Sequence, residues 1–409
     1  MTSPQKLQAG TAGTLLEQSR RETDKLFDLI AGDDLYVRPL PQRHRLIFYL
    51  GHVEAFDWNQ VGRQGLSESH VSSTLDDLFS RGIDPEPEQL PQDMISDWPS
   101  IRETREYVRK VRERLDSLWD EAPLDFQMTA IEHRLMHAET LAYQLHNLPH
   151  EKKLKGPAPA GASLAVVNQH MIRIPFGSAT LGRKRGAGFG WDNEFDENAV
   201  DVPAFSISKY KITNGEYLNY LNQGHAPPFF WDRINGEWFY RGMFDFTPLP
   251  LNAPVYVTQK QATEYATWRG MHLPTEAQYH RAAYGTPEGG ELEHPWELNG
   301  APRCSLGNFG FQHWDPVAVT DYASGESAFG VAQLIGNGWE WTRTLFGPFP
   351  GFEPRPNYPG YSADFFDNQH FVLKGASPRT AASLTRPSMR NWFRSDYPYV
   401  YATFHLVEN

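Results

Sequence analysis

The sequence lacks the features of several classes of protein. It contains one cysteine, Cys304, which excludes an intrachain disulfide and a multi-cysteine metal site. No run approaches about 18 apolar residues, so no membrane span is expected. The first residues lack a basic segment followed by an apolar core, which argues against a signal peptide. The net charge is −12 and no basic module interleaves with aromatic residues, which argues against nucleic-acid binding. We expect a soluble, cytoplasmic protein.

Aromatic side chains, in contrast, are abundant, with 25 Phe, 18 Tyr and 12 Trp among 409 residues. This length favours two or three domains. Residues 1–150 are typical of a four-helix bundle, because apolar residues recur at helical spacing in four stretches. These stretches are 15–30, 46–61, 101–118 and 126–148.

The chain changes character near residue 150. Residues 151–163 are charged and then rich in Pro, Gly and Ala, which is typical of a linker. Residues 164–409 contain short strand-like runs, such as 205–208 and 370–373, separated by Gly, Pro and Asn. Two helical stretches, at 213–221 and 261–269, interrupt these runs. The second half is therefore predicted to be an irregular α+β domain.

The most informative motif is the sequence His133-Arg134-Leu135-Met136-His137 in the last predicted helix. Residues four apart lie on one face of a helix, with Cβ atoms about 5–6 Å apart, so two imidazoles can bind one metal ion. His52, in another apolar helical stretch, provides a third imidazole if the two helices face each other. Three neutral ligands leave coordination positions open, as a catalytic metal requires.

A carboxylate in place of one histidine would give a site of two histidines and one carboxylate. Glu139, however, follows His137 by two residues and lies about 200° away around the helix. His146 lies about 180° from His137, which also places it on another face. Three histidines therefore remain the best set. Their spacing does not distinguish iron from zinc, because three-histidine sites also bind zinc.

The second half contains six short motifs in a fixed order. They occupy residues 202–205 (Val-Pro-Ala-Phe), 213–217 (Thr-Asn-Gly-Glu-Tyr), 273–277 (Leu-Pro-Thr-Glu-Ala), 336–342 (Gly-Asn-Gly-Trp-Glu-Trp-Thr), 372–377 (Val-Leu-Lys-Gly-Ala-Ser) and 386–391 (Arg-Pro-Ser-Met-Arg-Asn). The set is similar to the formylglycine-generating-enzyme family, which has a C-type-lectin-like architecture. Formylglycine generation requires a cysteine pair that holds copper, so a chain with Cys304 alone is not expected to have this activity.

The combination of this domain with a histidine-bearing bundle resembles the non-haem iron sulfoxide synthases of ergothioneine biosynthesis. The resemblance implies a multidomain α and α+β fold, with a DinB-like four-helix bundle followed by a C-type-lectin-like domain of the formylglycine-generating-enzyme type. Those enzymes use iron(II) and O2 to join a sulfur donor to the imidazole of hercynine, Nα-trimethylhistidine. The resemblance implies that His52, His133 and His137 bind Fe(II), and that O2 is a co-substrate.

The same resemblance implies roles for five further residues. Asn391 and Trp392 match residues that help to hold hercynine. Met136 stands where relatives often have a glutamine beside the substrate, and Phe393 replaces the acid that pairs with the ammonium group of the donor. Tyr361 lies near the position of a tyrosine that supplies a proton to the reduced oxygen species.

The donor end departs from the pattern of relatives that use γ-glutamylcysteine. The connector of the bundle carries arginines in those relatives, whereas residues 84–93 here contain four acids and no arginine. A donor rich in carboxylates would meet repulsion instead of bidentate pairing. Together with Phe393, this departure favours a donor that contains a sugar ring. In this respect the sequence resembles the selenoneine synthase branch, which joins a selenosugar to hercynine.

The main hypothesis is therefore iron(II)- and O2-dependent formation of a carbon–selenium bond between a selenosugar and hercynine. The alternative is an ergothioneine-pathway sulfoxide synthase that uses a thiol donor, cysteine or γ-glutamylcysteine. A third hypothesis is a zinc-dependent thiol transferase of the DinB-like kind. A fourth is a sugar-binding module in which the histidines are structural. All four predict small-molecule ligands.

Overall fold

The protein consists of a helical unit followed by a unit that combines strands with short helices. The computed structural model describes residues 9–81, 91–157, 167–296 and 304–408. The chain divides into two compact units, Met1–Pro157 and Ala158–Asn409. This organisation confirms the predicted multidomain fold class, with an all-helical first half and a mixed second half.

The helical unit extends past the end predicted from the sequence. Residues 151–157 belong to it, although they form the first part of the predicted linker. Lys153 forms an isolated antiparallel bridge with Ile30, and the N–H of Leu154 donates to the carbonyl of Leu29 at 2.9 Å. The remainder of the predicted linker, 158–163, lies outside the described residues.

Four long helices and one short helix form the described part of the first unit. They are α1 (Ala9–Phe27), α2 (Leu46–Asp57), α3 (Ser73–Phe79), α4 (Ile101–Leu118) and α5 (Leu124–His146). The four long helices agree with the four predicted stretches, and their ends differ from the predicted ends by a few residues. No helix in the described ranges combines the length and the apolar composition that a membrane span requires.

The pattern of burial shows why α2 and α5 lie at the centre of the bundle. Every residue of α2 is buried, and so is most of α5. A helix that is buried all round belongs in a core. In contrast, α4 is amphipathic, because its buried Tyr107, Val111 and Leu115 recur every four residues. α2 continues beyond Asp57 as a π-helical segment, Trp58–Gly65, a rare conformation that is frequent at functional sites.

The strands in the described part of the second unit form four small sheets. The strands are β1 (Met171–Ile174), β2 (Gly177–Leu181), β3 (Asn198–Val202), β4 (Phe205–Ser208), β5 (Trp231–Ile234), β6 (Glu237–Arg241), β7 (Phe246–Pro248), β8 (Gly338–Leu345), β9 (His370–Ala376), β10 (Asn391–Arg394), β11 (Ala402–Thr403) and β12 (Val407–Glu408). The sheet orders are β1-β4-β12, β10-β9-β8-β11, β2-β3 and β5-β6-β7. β10, which contains three candidate site residues, is an edge strand that pairs antiparallel with β9.

Among the residues that the structure describes here, three α-helices interrupt these strands: α6 (Asn214–Leu221), α7 (Gln259–Trp268) and α8 (Glu276–Tyr284). α6 and α7 coincide with the two predicted helical stretches. α8 was not predicted, although the capping box between Thr275 and Gln278 is visible in the sequence. α8 packs against β2, β3, β8 and β9, and its Tyr279 belongs to the apolar core.

The motif at residues 336–342 shapes a turn and fills the core. Gly336, Asn337 and Gly338 all have positive φ angles, of 96°, 62° and 134°. Trp339 and Trp341 are buried, and Trp341 Nε1 donates to the carbonyl of Val257 at 2.8 Å. The structure therefore gives these residues a role in packing.

Candidate metal centre

The two central helices bring three histidines together. His52 lies on α2, and His133 and His137 lie one turn apart on α5. One ring nitrogen of each lies within 4.8 Å of the other two, and all three side chains are buried. In the described ranges, no other group of three or more His, Cys, Asp or Glu side chains meets this criterion. The site predicted from spacing is therefore present as a cluster of three imidazoles.

The geometry of the imidazoles suits one metal ion. The Nε2 atoms of His133 and His137 are 3.1 Å apart. Two nitrogen ligands about 2.1 Å from one ion, at an angle near 90°, would be about 3.0 Å apart. His52 Nδ1 lies 2.7 Å from the carbonyl oxygen of Phe79, a contact that fixes the tautomer and turns Nε2 towards the other rings. Nε2 of His52 has no hydrogen-bond partner among the described residues, as expected of a metal ligand.

Phenylalanines of α2 hold two of the imidazoles. Phe56 stacks on His133, with ring centroids 3.4 Å apart and an interplanar angle of 11°. Phe48 stacks on His52, with centroids 4.8 Å apart. Phe48, His52 and Phe56 are spaced by four residues, so they lie along one face of the helix. The two rings therefore exclude water from one side of the site and restrict rotation of the ligands.

The protonation state of the histidines also suits a metal. Burial lowers the pKa of His52 from 6.5 to about 4. Burial also lowers the pKa of His133 and that of His137 well below 6.5, and neighbouring imidazoles add to this effect. All three are therefore neutral at neutral pH, and neutral imidazole is the form that binds metal ions.

Met136 lies on the same helix as the histidine pair but differs from its neighbours in exposure. Its side chain is partly exposed, whereas Leu135 and His137 on either side are buried. The proposed place of Met136 beside a substrate stays a prediction.

In the second unit, the structure brings Tyr361 and Trp392 together. Tyr361 is buried and stacks on Trp191, with centroids 4.0 Å apart and an angle of 22°. The ring of Trp392 meets Tyr361 edge-on at 5.4 Å. Asn391 Oδ1 accepts a hydrogen bond from the backbone N–H of Trp392 at 2.9 Å. These contacts form an aromatic cluster, defined as Trp191, Tyr361 and Trp392.

Phe393 lies on the other side of β10. Successive side chains of a strand point to opposite faces, so Phe393 points away from Trp392. It stacks on Tyr397 with centroids 4.8 Å apart, and Tyr397 meets Tyr399 edge-on at 5.2 Å. Trp392 and Phe393 therefore face different surroundings, although they are adjacent in sequence.

Both units are similar to known protein families. Residues 160–409 match the family model of the sulfatase-modifying factor enzyme 1-like domain, and residues 15–173 match that of the DinB superfamily. A hercynine oxygenase of Mycolicibacterium smegmatis is 30% identical over 72% of this chain and 74% of its own length. The chain belongs to the hercynine oxygenase family. This relationship confirms the predicted superfamily, whereas the selenoneine branch stays a prediction.

Other members of the hercynine oxygenase family align over both units. The hercynine oxygenase of Mycolicibacterium thermoresistibile is 29% identical over 94% of this chain and 90% of its own length. Ergothioneine biosynthesis protein 1 of Schizosaccharomyces pombe is 28% identical over 93% of this chain, but over 54% of its own length. The chain thus spans about half the length of that relative.

The structure shows ion pairs for one acid of the connector, residues 84–93, that the sequence did not indicate. Residues 84–90 lie outside the described residues, but the last acid of the stretch, Asp93, is described. Its carboxylate forms ion pairs with Arg38 and with Arg45 Nε at 2.9 Å, and it accepts a hydrogen bond from Trp98 Nε1 at 2.7 Å. Arginines from outside the connector therefore pair with Asp93, and the repulsion of a carboxylate-rich donor by the connector stays a prediction.

Sequence reasoning also missed residues around the aromatic cluster. Trp191 begins a short helical turn, and the next residue, Asp192, accepts a hydrogen bond from Ser362 Oγ at 2.6 Å. Ser362 directly follows Tyr361, so this bond fixes the backbone beside the candidate proton donor. The sequence offered one signal, the two acids that follow a tryptophan in Trp191-Asp192-Asn193-Glu194. The partner of Asp192, however, lies 170 positions later in the chain.

Proposed function

We propose that the protein is an iron(II)- and O2-dependent enzyme that joins a sulfur donor to the imidazole of hercynine. The main support is the convergence of His52, His133 and His137 in a buried site on α2 and α5. The family relationship supports the same activity, because relatives that align with both units are named hercynine oxygenase. Relatives named for ergothioneine biosynthesis favour a thiol donor over the selenosugar of our main sequence hypothesis.

The proposed reaction balances with O2 as the oxidant. The C–H bond of the imidazole and the S–H bond of the donor break, and a C–S bond and an S=O bond form. One oxygen atom enters the sulfoxide, and the other leaves as water with the two hydrogen atoms. Iron(II), when bound by the three histidines, would supply the centre at which O2 is reduced. With His52, His133 and His137 as neutral ligands, the ion would keep open positions for the reactants.

The protein would keep its ligands ready for the metal. Burial of the imidazoles keeps them neutral, so metal binding displaces no proton from them at neutral pH. The stacking of Phe56 on His133 and of Phe48 on His52 orients the rings before the ion arrives. Such preorganisation lowers the entropic cost of binding.

The aromatic cluster is our candidate for hercynine binding and proton supply. Phe346 stacks on Trp392 with ring centroids 4.3 Å apart, and the part of this partly exposed ring that Phe346 leaves uncovered can attract the trimethylammonium group of hercynine by a cation–π interaction. Asn391 offers an amide for hydrogen bonding. Tyr361, held between Trp191 and Trp392, is our candidate for the proton donor, because two rings restrict its orientation.

A selenosugar donor remains a second candidate, supported by the surroundings of Phe393. The rings of Phe393, Tyr397 and Tyr399 are all partly exposed and contact one another. Such aromatic faces suit the C–H face of a sugar ring and offer no charge to pair with a donor ammonium group. This observation concerns the donor alone and leaves the metal centre unchanged.

The experiment is a product assay with purified protein, Fe(II), hercynine and air. Cysteine, γ-glutamylcysteine and a selenosugar are supplied separately, and products are identified by mass spectrometry. We expect a carbon–sulfur product from a thiol donor, and none from His137→Ala. His150→Ala, which replaces a partly exposed histidine beyond α5, is the matched control and should be active. Product without O2, or with zinc as the only metal, would favour a thiol transferase. Product from the selenosugar alone would replace the thiol with the second candidate donor.

A further inference from the structure

A cluster of buried charges lies beside the histidines in sequence but takes no part in the proposed chemistry. Arg134 directly follows His133, and its side chain is fully buried. Its guanidinium donates to Asp57 at 2.5 and 3.0 Å, to Glu54 Oε1 at 3.0 Å and to the carbonyl of Val53 at 3.2 Å. All of these acceptors belong to α2, the helix that contains His52. The cluster therefore joins the two helices that contain the candidate metal ligands.

The same cluster extends to the other two long helices. Arg112 of α4 donates to Glu54 at 2.6 and 2.9 Å, and it forms two hydrogen bonds with Asp24 of α1 at 2.7 and 2.8 Å. Arg134 also donates to Thr23 of α1 at 3.3 Å. Glu54 is thus shared by two arginines, and every long helix of the bundle contributes at least one member.

Stability alone does not explain this arrangement. Removing ions from water is costly, and apolar residues of similar volume often replace a buried ion pair without loss of stability. A planar guanidinium that donates to several acceptors on one helix nevertheless requires one particular geometry, so it can fix the register of two helices. A shift of α2 by one residue along its axis, about 1.5 Å, would break these hydrogen bonds. The same shift would move His52 away from His133 and His137.

We propose that Arg134, with Glu54 and Asp57, acts as a positioning group that sets the register of α2 on α5 and so the geometry of the metal site. This inference rests on the proposed metal centre, but it concerns how the three imidazoles are held and is independent of the substrates. It predicts that loss of Arg134 weakens metal binding even where the bundle stays folded.

The test is a double variant, Arg134→Met with Asp57→Asn, which removes one charge of each sign. Glu54 stays paired with Arg112 in this variant, so no single charge is left buried alone. The control makes the same two changes in a more exposed ion pair of the bundle, Arg20→Met with Asp116→Asn. That pair, at 2.6 Å, joins α1 to α4 and does not bridge the histidine-bearing helices.

Binding of Co²⁺ is measured by titration of the visible absorption bands, with far-UV circular dichroism as the test of folding. We expect the double variant to lose at least about tenfold in Co²⁺ affinity and to show altered absorption bands, as for changes in the groups that orient metal ligands. The control should match the wild type. If the double variant does not fold, Arg134→Lys serves instead, because lysine keeps the charge but loses the planar fork.

Wild-type affinity and unchanged bands in a folded Arg134 variant would overturn the inference and leave the metal centre intact. An equal loss in the control would also overturn it, because the effect would then reflect general weakening of the bundle. A wild-type protein that binds no Co²⁺ would instead refute the metal centre itself, and the positioning role with it.

Discussion

The metal-free protein is predicted to lose stability as the pH falls, because its histidines are buried in the neutral form. The pKa of His52 is about 4 in the folded protein, compared with 6.5 for an exposed histidine. As the pH falls below 6.5, the unfolded chain takes up a proton at this position before the folded protein does. His52 therefore makes its full contribution to stability above pH 6.5, and this contribution is lost as the pH falls towards 4.

The two pKa values of His52 set the size of the effect. One pKa unit corresponds to about 1.36 kcal/mol, and at pH 5 the linkage relation gives a loss of about 2 kcal/mol from His52 alone. His133 and His137 act in the same direction, since burial lowers the pKa of each. Asp57 acts in the opposite direction, because burial raises its pKa to about 6. A comparison of two proteins that both contain Asp57 removes that contribution.

The assay is urea denaturation of metal-free protein, followed by far-UV circular dichroism at pH about 8 and about 5. The wild type should lose about 2 kcal/mol more of its free energy of unfolding than His52→Gln, which lacks the titrating group. His150→Gln, at a partly exposed position, should behave as the wild type. An equal pH dependence in the wild type and in His52→Gln would refute the conclusion that His52 is held neutral by burial.

Three further predictions concern the aromatic residues. Phe56→Leu removes the ring stacked on His133. Metal affinity measured with Co²⁺ should therefore fall about three- to tenfold, which corresponds to the free energy that an aromatic pair contributes. Tyr361→Phe should lower the rate of product formation by about 10²-fold or more without changing metal affinity, whereas Tyr358→Phe should stay close to the wild type. Phe393→Asp supplies a partner for an ammonium group, so kcat/KM should rise for cysteine relative to a selenosugar. An unchanged ratio of the two kcat/KM values would exclude Phe393 from the donor site.

The helices and the histidine site could be predicted because their signals are local. Apolar spacing gave all four long helices of the bundle, and the four-residue spacing of His133 and His137 put both on one face of α5. His52 could be included because its whole stretch is apolar, which is typical of a central helix. The convergence of three imidazoles follows from packing two such helices together.

Features that depend on distant partners could not be predicted in the same way. Arginine is usually found at the surface, so the burial of Arg134 was not expected. Its partners lie 77 and 80 positions earlier, in another buried helix. The stack of Tyr361 on Trp191 likewise joins segments 170 positions apart. One signal was available, since Glu54 and Asp57 are acids within an apolar helix and buried acids require cationic partners.

Isotopically labelled O2 tests the central proposal most directly. Wild-type protein is supplied with Fe(II), hercynine and a thiol donor under ¹⁸O2, and the product is analysed by mass spectrometry. We predict a product with one labelled oxygen atom and two hydrogen atoms fewer than its two substrates together, and no product from His137→Ala. An unlabelled product, or equal amounts of product from His137→Ala, would contradict an O2-dependent reaction at the three-histidine centre.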